Sequence, residues 1–248
     1  MKKYLLIPLL FLPFIVRAEI SIDSFSSFQC DGCTVSTSSL SIASQGNDVL
    51  IVASAVEANT NPSSSMPITT ITYGGQSLTK IRHDELIAGE NGRSELWYLL
   101  NPITGTQTLS ITYTGTIDGN AITAITIKGA AQQAPTFNNG RTLVNDTSST
   151  LSITAPNRSI IIDNAHGRGS GVALTPNTSQ TLLSAVTNAG QLRHSTSYKI
   201  NGSSTDWSFG ANDFIQEAVV FGVAPAQVTV RGGKTIVGGS GKTVIKKN

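Results

Sequence analysis

The side chains able to do chemistry in this chain are few and scattered. Asp84, Glu85, Glu90 and Glu95 are its densest carboxylate group. A glycosidase needs two such groups facing each other across a sugar. A strand supplies them most simply at i and i+2, on one face, and no such acidic pattern occurs here. Glu85 and Glu95 can flank one turn, but as a set these carboxylates read as solvated charges near a loop. His83, His166 and His194 are dispersed, and Gly167-Arg-Gly-Ser-Gly171 lacks the spacing of a nucleophile elbow. Gly238-Gly-Ser-Gly-Lys-Thr243 ends like a phosphate-binding loop, yet Ile236 stands where that motif needs its first glycine, and no helix can follow. Asp23, Asp31 and Asp118 stand alone, so no calcium loop is expected. The residues predict no catalytic set, no metal and no cofactor.

Cys30 and Cys33 are the only cysteines. A redox pair wants a helix N-terminus beside it, and the Ser/Thr-rich residues that follow read as strand and loop. Structural zinc needs four ligands, and one such pair supplies two. In an exported chain the pair predicts a small-loop disulfide.

Export is predicted by the start. Lys2 and Lys3 precede an apolar run from Tyr4 to Val16, and Val16-Arg17-Ala18 offers a small-residue cleavage site. This is the pattern of a signal peptide cut after Ala18. No later stretch has the length of a membrane span. The expected location is secreted, extracellular or at the cell surface, with the periplasm as the alternative. A net charge of +2 and a charged fraction of 13% give no basic stripe for nucleic acid.

The elements that must position these residues are strands. Leu109, Ile111 and Tyr113 alternate with Thr108, Ser110, Thr112 and Thr114, the period of a strand with one buried face. Val49–Val56 is continuously apolar and β-branched, and reads as a central strand buried on both faces. Ile68–Tyr73, the Gly74-Gly75 turn and Ser77–Leu86 read as a hairpin. No apolar 3.6-residue period persists, and turn signals recur every eight to twelve residues, the all-β rhythm. Trp97 shares a face with Leu99, and Trp207 with Phe209, so both rings are expected in the core.

A weak internal repeat runs through the chain. Asn91–Asn101 matches Gln191–Asn201, Thr108–Tyr113 matches Asp206–Gly210, and Ala124–Ile127 matches Ala218–Phe221. Val49–Val52 is aligned with Ser159–Ile162. Duplication and the general likeness of β sequences both account for this. Residues 130–149 read as a loop crossing between sheets. The expectation is therefore an all-β fold over residues 19–225, a single antiparallel β-sandwich, with two related halves as its variant. Residues 226–248 form a basic, Gly-rich, β-prone tail, either flexible or donating strands through Val228, Val230, Ile236, Val237 and Val244.

Three stretches carry a resemblance. Ile71-Thr-Tyr-Gly-Gly-Gln-Ser-Leu-Thr-Lys80, Glu95-Leu-Trp-Tyr-Leu-Leu-Asn-Pro102 with the Gly-Thr-Gln-Thr-Leu-Ser-Ile that follows, and Ser197-Tyr-Lys-Ile200 with Trp207-Ser-Phe209 resemble a module recurring in bacterial exported and surface proteins, mostly of unknown function. The likeness spans about Val49 to Val223. It implies a jelly-roll-like β-sandwich and carries over no catalytic residue. The chain departs from it in the cysteine loop and the tail.

The expected function is that of a non-enzymatic surface, matrix or appendage protein, or an adhesin. It would bind a protein or glycan through loops containing Asn61, Ser64, Glu90, Asn91, His166 and Arg168, the last two in a loop read as flexible and exposed. The tail would form homo-oligomers by strand addition. The alternatives are a lectin-like carbohydrate-binding module and a glycan-cleaving enzyme.

Overall fold

A computed structural model describes residues 15–16, 19–43, 48–57, 68–86, 92–168, 173–187, 192–225, 227–230, 234–239 and 242–247. The described residues are all-β, every strand pair is antiparallel, and no helix occurs among them. Among the described residues no helix is long and apolar enough to cross a membrane. The chain divides into two compact units, Glu19–Ala224 and the two ends taken together.

The unit made of the two ends contains β1 (Ile15–Val16), β17 (Gln227–Val230), β18 (Lys234–Gly239) and β19 (Lys242–Lys247). They form one sheet in the order β1-β17-β18-β19. The tail residues Val228, Val230, Ile236, Val237 and Val244 all fall within its strands.

The larger unit opens with β2 (Ser21–Asp31), β3 (Val35–Ile42), β4 (Val49–Glu57), β5 (Ile68–Tyr73), β6 (Gln76–Ser77), β7 (Thr79–Glu85), β8 (Gly92–Leu100), β9 (Gly105–Tyr113) and β10 (Gly119–Lys128). Two sheets result, β2-β10-β4-β8-β7 and β3-β9-β5-β6. Apart from the neighbours β5–β6 and β7–β8, the chain crosses from one sheet to the other at each step, which is the wrapping of a jelly roll. The expected hairpin after Ile68–Tyr73 is only partly made. Gln76 and Ser77 pair back onto β5, and the chain then crosses to the other sheet, where β7 pairs with β8.

The second half continues with β11 (Phe137–Ser152), β12 (Ser159–Arg168), β13 (Thr175–Pro176), β14 (Thr181–Thr187), β15 (Leu192–Ile200) and β16 (Ser204–Gly222). Residues 137–149, expected as a crossing loop, are strand. Their Ser/Thr/Asn richness suits the wet edge of a sheet and hides the pairing with β16. The sheet order β11-β16-β12-β15-β14 repeats that of the first half strand for strand. Here one sheet closes over itself. Thr205 and Gln216 are eleven residues apart on β16, about 36 Å if extended, yet the Gln216 side chain donates to the Thr205 carbonyl at 3.2 Å. The long β11–β16 ribbon is therefore folded, its Ser148–Ser152/Ser204–Ser208 end lying across its Phe137–Leu143/Phe214–Val220 end. The joined strands do the work of four separate strands in the first half.

The repeat is confirmed in register. Tyr98 pairs with Ile51 and Tyr198 with Ile162; Ile51 pairs onward with Ile125, and Ile162 with Val219. Both edge strands bulge at the same step, between Lys80 and Arg82 on β7 and between Leu182 and Ser184 on β14. Asn101 and Asn201 end the matched strands with φ of 47° and 57°, a left-handed conformation that Asn tolerates. One alignment is corrected: Val49 corresponds to Ile160, one position beyond the expected Ser159. Such an aliphatic run lacks the alternation that would set its register.

The buried apolar side chains lie in layers. Leu50, Val52, Trp97 and Ile122 meet Ile71, Tyr73, Leu109 and Ile111 inside the first jelly roll. On the other face of the same sheet, Val49, Ile51, Leu96 and Ile125 pack on Ile160, Ile162, Val219 and Phe221. The two jelly rolls thus stand back to back. β4 is buried along nearly its whole length, as its unbroken apolar run requires. Inside the second roll, Ile161, Val220, Leu151 and Ile153 form one cluster and Trp207, Phe209 and Phe214 another. Each such side chain contributes about 1.5–3 kcal/mol by leaving water.

Candidate functional site

Each half buries a carboxylate in its own interior beside a tryptophan. In the first half, Arg93, Glu95 and Trp97 alternate along β8 and so share the face turned to the opposing sheet. Glu95 is completely buried. Arg93 Nε reaches its Oε1 at 2.6 Å; Trp97 Nε1 and Lys80 Nζ each reach Oε2 at 2.9 Å. The Ile68 amide donates to Oε1 at 3.3 Å. Lys80 also lies 4.8 Å from the Trp97 ring centroid, a cation–π contact. Arg93 in addition bonds Glu85. Glu95 is therefore no solvated loop charge, and it does not face Glu85 across the hairpin. Its strand partner is His83, while Glu85 pairs with Arg93.

In the second half the buried acid is Asp163 on β12. Trp207 Nε1 donates to its Oδ2 at 2.5 Å, Gln180 at 3.1 Å, and Gln216 contacts both oxygens at 3.1 and 3.2 Å. Burial pushes this carboxyl up to about 7, against those donors, which lower it. Both tryptophans are core residues, as their strand faces predict, and both close a carboxylate with the indole N–H.

A third polar group lies between the halves. Ser94 on β8 donates to Glu217 on β16 at 2.6 Å, and Asn164 on β12 donates to Ser94 Oγ at 2.7 Å. His194 on β15 meets the Asn164 side-chain Oδ1 at 2.6 Å. Arg82 pairs with Asp84 at 2.6 Å and lies 3.7 Å from Glu217. Gly140 makes room for that pair: a Cβ there would sit 2.2 Å from Arg82 Nη2 and 2.3 Å from Asp84 Oδ2. Burial raises the Glu217 carboxyl well above its usual range; Asp84 adds to the shift, and Ser94 and Arg82 oppose it. His166 lies opposite His194 on the neighbouring strand, and both are completely buried. Burial lowers His166 to about 4 and His194 to about 3, so both imidazoles are neutral at pH 7.

The repeat identifies the counterpart of this group. The positions of Arg82, Glu217 and Gly140 correspond to Ser184, Thr123 and Ser27. There, Ser27 Oγ lies 2.6 Å from Ser184 Oγ and 3.3 Å from Thr123 Oγ1. One side of the inter-half contact is thus a hydroxyl cluster and the other a charged one.

His166, Gly167 and Arg168 belong to β12, His166 and Gly167 paired on both sides and Arg168 with Leu192, and not to an exposed loop. His166 is core, and Arg168 acts electrostatically on Glu57 at the end of β4. The glycines there suggest a loop, but Gly167 serves close packing, with Leu174 3.1 Å from where its Cβ would be. Asn61, Ser64, Glu90 and Asn91 lie outside the described residues. Cys30 and Cys33 are at disulfide-bonding distance, their Cα atoms 6.2 Å apart. Among the described residues no cluster of His, Cys, Asp or Glu could hold a metal ion. Asp163, Arg93 and Glu217 escape sequence reading. A charge after Ser159-Ile-Ile-Ile looks like the end of a strand; only the facing Trp207 and Gln216 show why it is buried.

Glu95, Asp163 and Glu217 each accept hydrogen bonds from side chains inside the protein. Open depressions among the described residues include two. One, of about 330 Å³, has Ile22, Tyr198, Ile200, Glu19, Arg158 and Asn201 among its lining residues. The other, of about 270 Å³, is lined by Ser148, Thr150, Asn177, Asp206 and Ser208 around the covered Trp207. No family model matches the chain, and no curated protein or solved structure is significantly similar to it.

Proposed function

We propose that this is an exported, non-enzymatic surface, matrix or appendage protein that binds a protein or glycan partner and assembles with copies of itself through its tail. The observation that carries the reading is the pairing of β17. One of its edges is joined to β18, and the other to Ile15–Val16, in the register Ile15 with Val228 and Val16 with Gln227. Ile15 and Val16 belong to the segment that a leader ending at Ala18 would take away. Its removal leaves the edge of Gln227–Val230 without a partner. Such an edge is a template for a strand from another chain.

The back-to-back jelly rolls fit the same reading. The buried carboxylates Glu95 and Asp163 are tied to donors inside the protein, and the wide β surface suits a scaffold. The test is sedimentation of the mature chain, residues 19–248, beside a form ending at residue 225. Concentration-dependent assembly of the first and a monomeric second form is the expected result. Equal size for both at every concentration overturns assembly through the tail.

A further inference from the structure

The repeat offers a way to ask which surface features of one half are completed in the other. At the end of β8 the Asn101 amide donates to the carbonyl of Asp48, just before β4. At the end of β15 the Asn201 amide donates in the same way to Ser159, at the start of β12. Beyond this shared geometry the halves part. In the first half a loop of the chain sits on the strand end. The segment leading into β11 leaves the sheet after Ala131, whose amide bonds Gly222, and returns at Thr136, whose amide bonds Val220. The excursion carries Gln132 onto the strand end, where its carboxamide oxygen accepts from the Asn101 amide at 2.9 Å and its nitrogen donates to the Asp48 carbonyl at 3.1 Å.

β2 is the counterpart of β11, and it makes no such excursion. Ser21 and Ile22 pair directly with Lys128 and Ile127, apart from a one-residue bulge. Beside Asn201 the space taken by the Gln132 loop in the first half is open, and it is the 330 Å³ groove. Ile200 is 43% exposed, whereas its counterpart Leu100 is half-buried. Ile20, Ile22, Tyr198 and Ile200 give the groove an apolar lining, with Glu19, Arg158 and Asn201 as its polar members.

We infer that this groove is a docking site for an extended peptide segment of a partner protein, built of small apolar residues around a carboxamide side chain. The chemistry is that of the chain's own Ala130–Thr136 segment on the matching strand end. The carboxamide bridges the strand-end amide and carbonyl, and small side chains let the backbone approach Tyr198 and Ile200. The site lies wholly within residues 19–201, so it stands or falls independently of assembly through the tail.

The probe is a capped, fluorescently labelled peptide copying residues 130–136, titrated by anisotropy into the mature protein to millimolar concentration. Saturable binding at about one equivalent is expected. Ile200→Asp weakens it about tenfold, as does replacing by alanine the glutamine that copies Gln132. Ile200 is exposed, so its substitution leaves the core intact, and an unchanged melting temperature verifies this. Non-saturating binding, or saturable binding that neither substitution weakens, overturns the proposal.

Discussion

Glu95 on β8 and Ser195 on β15 hold the same place in the two halves: the first pairs with Ser54, the second with Ala165, at matching steps of matching strands. Both are buried and both face the interior of their own jelly roll. Around Glu95 stand Arg93, Lys80 and the Trp97 indole; around Ser195 no such set of donors is gathered. The second half instead places its acid one strand over, at Asp163, where the first half has Val52. Each roll therefore has a buried acid closed by an indole, reached from different positions. The repeated strand plan tolerates this because a buried carboxylate requires donors near it, and either of two adjacent strands can supply the site.

The comparison is broken most forcefully at Glu95. Removing this buried carboxylate leaves Lys80 and the Trp97 indole N–H without their acceptor and Arg93 with Glu85 alone, and breaking such a set costs about 3–5 kcal/mol. Glu95→Ala is expected to lower stability by that amount in chemical denaturation. Ser195→Ala, at the matched position, is expected to cost about 1 kcal/mol or less. Equal losses at the two positions would show that the halves are balanced differently from this account.

Acid sharpens the same contrast. The counterpart of His166 in the first half is Ala55, and that of His194 is Ser94. Burial holds His166 at about 4 and His194 at about 3, while an unfolded histidine titrates near 6.5. Their contribution is present above pH 6.5 and is lost as pH falls through the folded values, because the unfolded chain takes protons that the folded one refuses. Asp163 acts in the opposite sense. Its raised value contributes stability below its unfolded value of about 4 that is lost as pH rises through about 7. His166→Ala, which gives the second half the residue of the first, leaves the Asp163 contribution in place. It is expected to remove on the order of 3 kcal/mol of the stability lost between pH 7 and pH 4. Denaturation midpoints measured across that range decide it, and parallel curves for variant and parent would count against the buried neutral imidazole.

Much of the architecture could be read from residue order. The alternation of Leu109, Ile111 and Tyr113, the apolar run of β4 and the repeated Arg, Tyr and Asn positions of β8 and β15 report strand period, burial on two faces and an internal repeat. What could not be read depends on contacts between distant strands. β11 looks like a loop because its residues face solvent or one another in a folded ribbon. His166 looks exposed because glycines surround it, yet those glycines allow neighbours to approach. Glu95 looks like a surface charge until Arg93, Lys80 and Trp97 are seen to converge on it. The charged group at Arg82, Asp84 and Glu217 is assembled from two halves of the chain and leaves no local pattern.

Two equivalent jelly rolls stand back to back, with β2 of one beside β14 of the other. Ser27 and Ser184 meet across that contact, their hydroxyl oxygens 2.6 Å apart. The double variant Ser27→Cys, Ser184→Cys tests it directly, read by non-reducing peptide mapping of the oxidised protein. The account predicts a cross-link joining the peptides that contain residues 27 and 184, formed in the folded monomer beside the native Cys30–Cys33 pair. Two free thiols at these positions in a fully folded protein would contradict it.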